Sequence, residues 1–339
     1  MPDRFMTWAI WGEYSAHYET ITRMAAGSWA ASTLLSSRQY INMGPADIGV
    51  EVEDFGNTDW AGRAPEAFDC GSGIHDWQTV QINHFEHQTA TIEEKRSTIA
   101  HEFGHAVGLA HPPNQVESMP CAEVSLMNHY WAPRSNCDVY TPQGDDIEGV
   151  NWIYALSDPC DDCGPVDIAR IEERDATAPP NPSATPSVLD FVRTYDSLEA
   201  LEADASDVVV VEPTVSSRVE YIGGSLNSEP TPFTVTTARV TGALSGDLAV
   251  GDMVEVRQFG DDAEYAVNAA PLLREGSEYL LYLKPWERIS SAETGQHVIV
   301  GGQAAWQLSG ESGTASSGQT DLPERIALDG ASANAVASD

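Results

Sequence analysis

The stretch His-Glu-Phe-Gly-His-Ala-Val-Gly-Leu-Ala-His, residues 101–111, decides how this chain is interpreted. His101 and His105 are four residues apart, so on a helix they share one face and can direct ring nitrogens at one Zn²⁺. Gly108 allows the backbone to leave the helix with a positive φ, which brings His111 round as a third ligand. Three neutral imidazoles leave a fourth position for water, which is the arrangement of a catalytic zinc site.

Glu102 lies beside the first histidine, too far round the helix to be a ligand but close enough to reach a water at the metal. Zinc lowers the pKa of such a water from roughly 16 to about 7, and Glu102 is the expected general base that takes its proton. The resulting hydroxide attacks a peptide carbonyl without a covalent intermediate. A helix with ordinary solvated or core histidines and an inactive zinc site are the alternatives, and the presence of Glu102 argues against the second.

The five fixed positions of this stretch resemble the signature of the metzincin zinc peptidases. Metzincins also have a methionine turn downstream, and Ser125-Leu126-Met127-Asn128 is similar to it, which implies that Met127 forms an apolar floor under the histidines. Within the metzincins the chain most resembles the matrixins, through residues 46–48 in the third strand and 141–147 in the closing helix. The resemblance covers residues 4–156 and implies an α+β catalytic domain with a twisted mixed sheet, an active-site helix and a C-terminal helix.

The same resemblance places Gly62, Arg63 and Ala64 in the edge strand above the cleft. An exposed edge can pair its backbone with an extended peptide substrate, although an ordinary edge strand is an equal alternative. Tyr130 is not assigned to zinc, because His129 occupies the position where some metzincins carry a tyrosine near the metal.

A second metal site is disfavoured. Acidic and histidine side chains occur in the region where animal matrixins bind a structural zinc, but their spacing does not match that family; they are His75, Asp76, His84, Glu86 and His87.

Composition divides the chain into four segments. Residues 1–157 form the predicted catalytic domain, and the proline-rich residues 158–187 predict an extended, semi-rigid linker. Residues 188–310 show short strands between glycine and aspartate turns and predict a small all-β barrel or sandwich. Residues 311–339 predict a disordered tail. We expect the two folded segments to fold independently.

The strand order of the C-terminal segment resembles the netrin-like module of tissue inhibitors of metalloproteinases, a small OB-type barrel, without that family's cysteines. We expect an accessory domain that binds substrate or a surface. An internal inhibitor is the less favoured alternative, because nothing at the start of this segment matches the cysteine amine with which those inhibitors block zinc.

The charge is strongly acidic, with 52 acidic and 17 basic residues and a net charge of −35. Such a charge repels nucleic acid and anionic membranes, so we expect neither as a partner. The acids are spread along the chain, which favours adaptation to high salt, where carboxylate repulsion is screened. Ca²⁺ binding in acidic loops is the second interpretation.

The cysteines and the N-terminus bear on the compartment. Cys121 and Cys137 bracket a loop beside the predicted site, so we expect a disulfide there; Cys160 and Cys163 are assigned to a disulfide or to linker thiols rather than to half a zinc site. The N-terminus has neither the basic start nor the apolar core of a signal peptide, and no apolar run approaches the ~20 residues that span a bilayer. We expect a secreted monomer whose leader has been removed.

The resulting prediction is a zinc-dependent endopeptidase that acts on peptides or proteins with one catalytic Zn²⁺. The alternative is a non-catalytic, zinc-stabilised binding or adhesion protein that acts through its C-terminal β-domain. Glu102 discriminates between them, since a scaffold has no use for a base beside an open metal position. Neither the substrate nor its side-chain preference follows from the sequence.

Overall fold

The structure is a computed structural model. It describes residues 5–40, 46–65, 78–112, 119–155, 185–193, 195, 197–224, 230–266, 269–289, 294–302, 304–310, 312–315, 322–329 and 332–335. Within these residues the chain is a mixed α/β structure with two sheets. None of the described helices is both long and apolar enough to cross a membrane.

The described helices are α1 (Ser15–Ser32), α2 (Ile92–Ala106), α3 (Trp131–Asn136), α4 (Gly144–Ala155) and α5 (Leu198–Asp204). The described strands are β1 (Phe5–Trp11), β2 (Ser36–Gln39), β3 (Ile48–Glu53), β4 (Trp60–Pro65), β5 (Gln78–Asn83), β6 (Thr185–Phe191), β7 (Asp207–Ile222), β8 (Thr231–Ser245), β9 (Met253–Phe259), β10 (Glu264–Ala266), β11 (Glu278–Pro285), β12 (Gln296–Ile299), β13 (Ala305–Ser309), β14 (Ser312–Ala315), β15 (Arg325–Asp329) and β16 (Ser332–Ala335).

The first sheet has the order β10-β6-β4-β5-β3-β1-β2. Strands β2, β1, β3 and β5 run parallel, as expected of apolar strands covered by helices, and β4 is antiparallel to β5. Helix α1 packs against α2, and their apolar faces bury one core with β1, β3 and β5. This packing fixes the helix that carries the histidines against the sheet.

Helix α2 begins at a capping box and ends ahead of a glycine turn. Thr91 and Glu94 form a capping box, in which the Thr91 hydroxyl accepts from the Glu94 N–H and the Glu94 carboxylate accepts from the Thr91 N–H. The chain then leaves the helix through Gly108 at φ +101°. Few residues other than glycine adopt this conformation, so the turn that returns the chain toward His111 depends on Gly108.

Helix α4 begins later than the sequence indicated. Residues 141–147 were assigned to the closing helix, whereas the helix begins at Gly144. The correction has a local cause, because the Asp146 carboxylate accepts the N–H of Gln143 and the loop ahead of the helix is folded around it.

The second sheet contains nine of the described strands, in the order β12-β9-β8-β7-β11-β13-β14-β15-β16. Strand β12 pairs with both β9 and β11, so β12, β9, β8, β7 and β11 form a closed circuit. The likeness to a netrin-like module stays a prediction. Residues 311–339 were expected to be disordered, but their described part forms β14, β15 and β16, which extend this sheet by pairing in sequence.

The N- and C-terminal parts are joined by a buried apolar cluster, which we call the junction core: Phe55, Trp60, Leu189, Phe191, Ile222, Phe233, Trp286 and Val298. Polar contacts flank it, including the Lys284–Asp59 ion pair at 2.6 Å. Strand β6 begins at Thr185, inside the predicted linker of residues 158–187, and it belongs to the first sheet. The expectation of two parts that fold independently is therefore not supported by the packing, and the division at residues 157 and 188 stays a proposal.

Candidate metal centre

Three histidines meet at the C-terminal end of α2. The Nε2 atoms of His101, His105 and His111 form a triangle whose sides are all 3.1 Å. Tetrahedral Zn²⁺ has ligand nitrogens about 2.0–2.1 Å away, which places them about 3.3 Å from one another. The observed spacing fits a single zinc ion at this position, and these are the three residues that the sequence motif predicted.

The other ring nitrogens are held by backbone carbonyls. His101 Nδ1 lies 2.8 Å from the Leu126 carbonyl oxygen, and His105 Nδ1 lies 2.8 Å from that of Leu109. A carbonyl only accepts, so both rings carry their proton on Nδ1 and present an unprotonated Nε2. Arg134 Nη1 also lies 2.6 Å from His101 Nδ1, but two donors cannot bond each other, and we assign its hydrogen bond to the Asn128 carbonyl at 2.6 Å.

Burial favours the neutral form of all three imidazoles. It lowers the pKa of His105 to about 4 and lowers the pKa values of His101 and His111 well below their ordinary value. For His101, the Arg134 guanidinium is the next cause. Neutral imidazole is the form that binds a metal ion.

Glu102 is completely buried one residue along the helix. Neither of its carboxylate oxygens has a hydrogen-bond partner among the residues that the structure describes. Burial raises its pKa well above the ordinary value, and the neighbouring Asp190 carboxylate adds to this effect. Glu102 is a buried carboxylate without a hydrogen-bond partner in the described part of the chain, and it lies beside three converging imidazoles. This arrangement fits a chemical role at a metal site rather than a role in stabilising the fold.

Met127 packs against α2 at Gly104, between His101 and His105. A Cβ at Gly104 would collide with the Met127 sulfur, so glycine is needed for the turn to approach α2 this closely. The turn is held by Asp146, whose carboxylate accepts the N–H groups of Leu126 at 2.8 Å and Met127 at 3.2 Å. In the sequence Asp146 was visible only as part of a family pattern, and this role was not predicted.

The predicted substrate strand lies where expected, but its outer edge is occupied. A Cβ at Gly62 would collide with Glu102 Oε1, so β4 passes directly over the Glu102 carboxylate. Strand β6 pairs antiparallel with β4, with Ala64 opposite Val188 and Gly62 opposite Asp190. The expectation of a free edge at Gly62, Arg63 and Ala64 is therefore corrected. The Arg63 side chain is also engaged, since it pairs with Glu264 and its guanidinium lies over the Phe259 ring.

A buried ion pair next to the histidines was not predicted. Arg134 Nη2 lies 2.5 Å from Asp190 Oδ2, and both side chains are fully buried. Ligand atoms of Asp190, His101 and Glu102 all lie within 4.8 Å of one another. The local sequence around Asp190 carries no motif, so only the pairing of β6 with β4 reveals its position.

A disulfide joins Cys121 and Cys137, as predicted. The other cysteines, Cys70, Cys160 and Cys163, lie outside the described residues. So do His75 and Asp76 of the region considered for a second metal. The rest of that set is not gathered at one point: His84 Nδ1 contacts the Tyr18 hydroxyl, Glu86 accepts the Asp59 N–H, and His87 contacts Asn83 and Thr98.

Comparisons with known proteins give a partial match. No family model matches the chain. Human neutrophil collagenase is 34% identical over 163 residues, covering 44% of this chain and 32% of the collagenase. The chain thus matches about a third of the length of this curated relative. This similarity to a collagenase agrees with the metallopeptidase class that residues 101–111 indicate.

Two structures of myroilysin are also similar. One is 19% identical with a TM-score of 0.25 and covers 32% of this chain and 48% of that chain; the other is 16% identical with a TM-score of 0.24 and covers 42% and 66%. At these TM-scores the likeness carries no argument about the fold.

Proposed function

We propose that this chain is a zinc-dependent endopeptidase with His101, His105 and His111 as metal ligands and Glu102 as general base. The observation that carries the proposal is the equilateral triangle of Nε2 atoms at 3.1 Å beside the buried, unpartnered Glu102 carboxylate. A structural zinc site requires the ligands but not the base.

Each residue has a defined part in hydrolysis. A bound Zn²⁺ supplies Lewis-acid polarisation of a peptide carbonyl and makes water nucleophilic at neutral pH. Glu102 accepts a proton from the attacking water and returns it to the leaving amine. The carbonyls of Leu126 and Leu109 keep two imidazoles oriented through Nδ1. Met127 supports the site from below, and β4 could align an extended peptide only where β6 does not pair with it.

The wider assignment follows from the same proposal. We propose a peptide or protein substrate, a secreted monomer and one catalytic Zn²⁺. Adaptation to high salt and binding of Ca²⁺ stay proposals that rest on the net charge of −35.

A mixed peptide library tests the activity across many candidate substrates at once. The protein is expected to hold one equivalent of zinc, to cleave internal peptide bonds, to stop when a chelator removes the metal, and to resume when zinc is restored. Because the parent chain has its cleft strand paired, the library is also incubated with Asp190→Asn protein. Absence of cleavage by both proteins at full zinc occupancy contradicts the proposal.

A further inference from the structure

Strand β6 lies in the slot that an extended substrate would need. One edge of β6 pairs antiparallel with β4, from Pro65 opposite Ser187 to Trp60 opposite Phe191. Phe191 of β6 also forms a parallel bridge with Tyr130. The other edge of β4 already pairs with β5. A peptide therefore cannot add to β4 while β6 is in place.

The polar contacts of β6 point at the metal centre. Asp190 is opposite Gly62, the residue whose backbone passes directly over Glu102. Its carboxylate pairs with the buried Arg134 guanidinium, which itself contacts the Asn128 carbonyl next to the methionine turn. Asp190 and Glu102 are both closed off from solvent. In this arrangement neither water nor a peptide carbonyl reaches the general base.

The C-terminal part holds β6 in this position. Leu189 and Phe191 are buried in the junction core among Phe233, Trp286 and Val298. Strand β10 pairs with β6, and Glu264 on β10 accepts from the Ser187 hydroxyl at 3.1 Å. These contacts anchor β6 to the domain that follows it rather than to the catalytic segment alone.

We infer that β6 is a built-in blocking strand and that the C-terminal domain is an internal inhibitor of the zinc site. The inference rests on the proposed function, since a blocked cleft has meaning only if the cleft binds peptides. It reverses the expectation of a purely accessory domain. The blocking group is the segment Thr185–Phe191, with Asp190 as its polar anchor and Leu189 as its apolar anchor.

Binding of a fluorescent peptide hydroxamate to the zinc-loaded full chain tests this inference without relying on turnover. Leu189→Asp places a charge in the junction core and should release β6. Asp190→Asn keeps the size of the side chain but removes the negative charge that pairs with Arg134, so it should hold β6 less tightly. The matched control is Ile326→Asp, which buries the same charge at a fully buried position of the second sheet. Zinc content is measured on every protein.

The parent should bind the probe about 100-fold more weakly than Leu189→Asp, as expected if roughly 1% of the parent is open. Asp190→Asn should lie between them, and Ile326→Asp should resemble the parent. A synthetic peptide of residues 185–192 should displace the probe from Leu189→Asp, and the same peptide with Asp190→Asn should do so less well. Equal affinity of parent and Leu189→Asp, or an equal gain in Ile326→Asp, overturns the inference.

If Leu189→Asp does not fold, the inference is tested with Asp190→Asn and with the displacing peptide of residues 185–192. Parent-like binding by Asp190→Asn together with no displacement of the probe from that variant by the 185–192 peptide also overturns the inference. A variant that binds zinc and the probe tightly but cleaves no peptide contradicts the proposed function. It does not contradict the inference that β6 blocks the cleft.

Discussion

The site has two walls, and they are assembled over different distances along the chain. The metal wall lies between His101 and Asp146, and the hydrogen bonds of its histidines and methionine turn span 4 to 25 positions. The opposite wall joins β4 to β6 and β10, and its Arg63–Glu264 pair spans 201 positions. Helix periodicity and one glycine turn specify the first wall. The second exists only when the C-terminal part has folded against the first.

The difference also concerns the forces involved. The metal wall consists of side-chain-to-backbone hydrogen bonds and of close packing at small residues, such as Gly104 against Met127. The second wall combines a fully buried ion pair with the apolar junction core. Loss of the second wall should therefore expose apolar surface and open the cleft, whereas loss of the first should remove the metal.

The largest expected effect concerns a chain that ends at Ala155. Removal of β6 and of the C-terminal part exposes Phe55 and Trp60, which are buried in the junction core, and leaves the edge of β4 unpaired. An exposed hydrophobic edge strand promotes aggregation. We expect the truncated chain to be largely insoluble when expressed under conditions where the full chain is soluble, as measured by size-exclusion chromatography. A soluble monomer that binds zinc would show that the metal wall folds alone.

The next largest effect is the loss of a buried ion pair, which is compared with the loss of an exposed one. Asp190→Ala leaves the Arg134 guanidinium buried without its partner, which should cost about 3–5 kcal/mol of unfolding free energy. Glu255→Ala is the matched control, because it removes the exposed partner of Arg218 and should cost at most about 1 kcal/mol. Denaturant unfolding of both variants measures the difference. Equal costs would show that the Arg134–Asp190 contact does not hold β6 in place.

Acid should destabilise the fold through His87. Burial lowers the pKa of this side chain from 6.5 to about 4. Its stabilising contribution is complete above pH 6.5 and is lost as the pH falls from there toward 4, because the unfolded chain takes up the proton first. The loss should reach about 2–3 kcal/mol at pH 4.5. His87→Gln should reduce the drop in stability between pH 7 and pH 4.5 by that amount, and an unchanged drop would contradict this assignment.

The smallest effect concerns the start of α2. Thr91→Ala removes the hydroxyl that caps the helix and should cost about 1 kcal/mol of unfolding free energy. Zinc affinity should not change, because the proposed ligands His101 and His105 lie toward the opposite end of the helix. A large loss of zinc would show that the metal wall is more sensitive to the helix start than its local packing indicates.

These two walls also explain what could be predicted. The positions of His101, His105 and His111 follow from a helix period and from the positive φ of Gly108, both of which are local properties. The disulfide between Cys121 and Cys137 was predictable because the two cysteines bracket one short loop beside the site. Asp146 was visible in the sequence, but its bonds to the methionine turn depend on how α4 packs.

The pairing of β6 with β4 could not be predicted. The first three residues of Thr185–Phe191 fall in the proline-rich stretch assigned to the linker and the rest in the predicted β-domain, so no pattern joined this segment to the first sheet. Strand pairing at long range depends on the register of the partners and on the buried surface around them, which no short pattern encodes. The strands of residues 312–335 were missed because small residues predict low burial, whereas these strands are stabilised by pairing in sequence along the sheet.

The most direct measurement compares Glu102→Gln with Glu94→Gln. Both make the same substitution on α2, and glutamine at position 94 retains a capping box. Peptide cleavage and zinc content are measured in the parent chain and in the Asp190→Asn background. We expect Glu102→Gln to keep one zinc and to lose cleavage by about a thousandfold or more, since it removes the proposed general base, while Glu94→Gln retains both. Cleavage by Glu102→Gln at the rate of its matched parent would contradict the assignment of a catalytic zinc centre to residues 101–111.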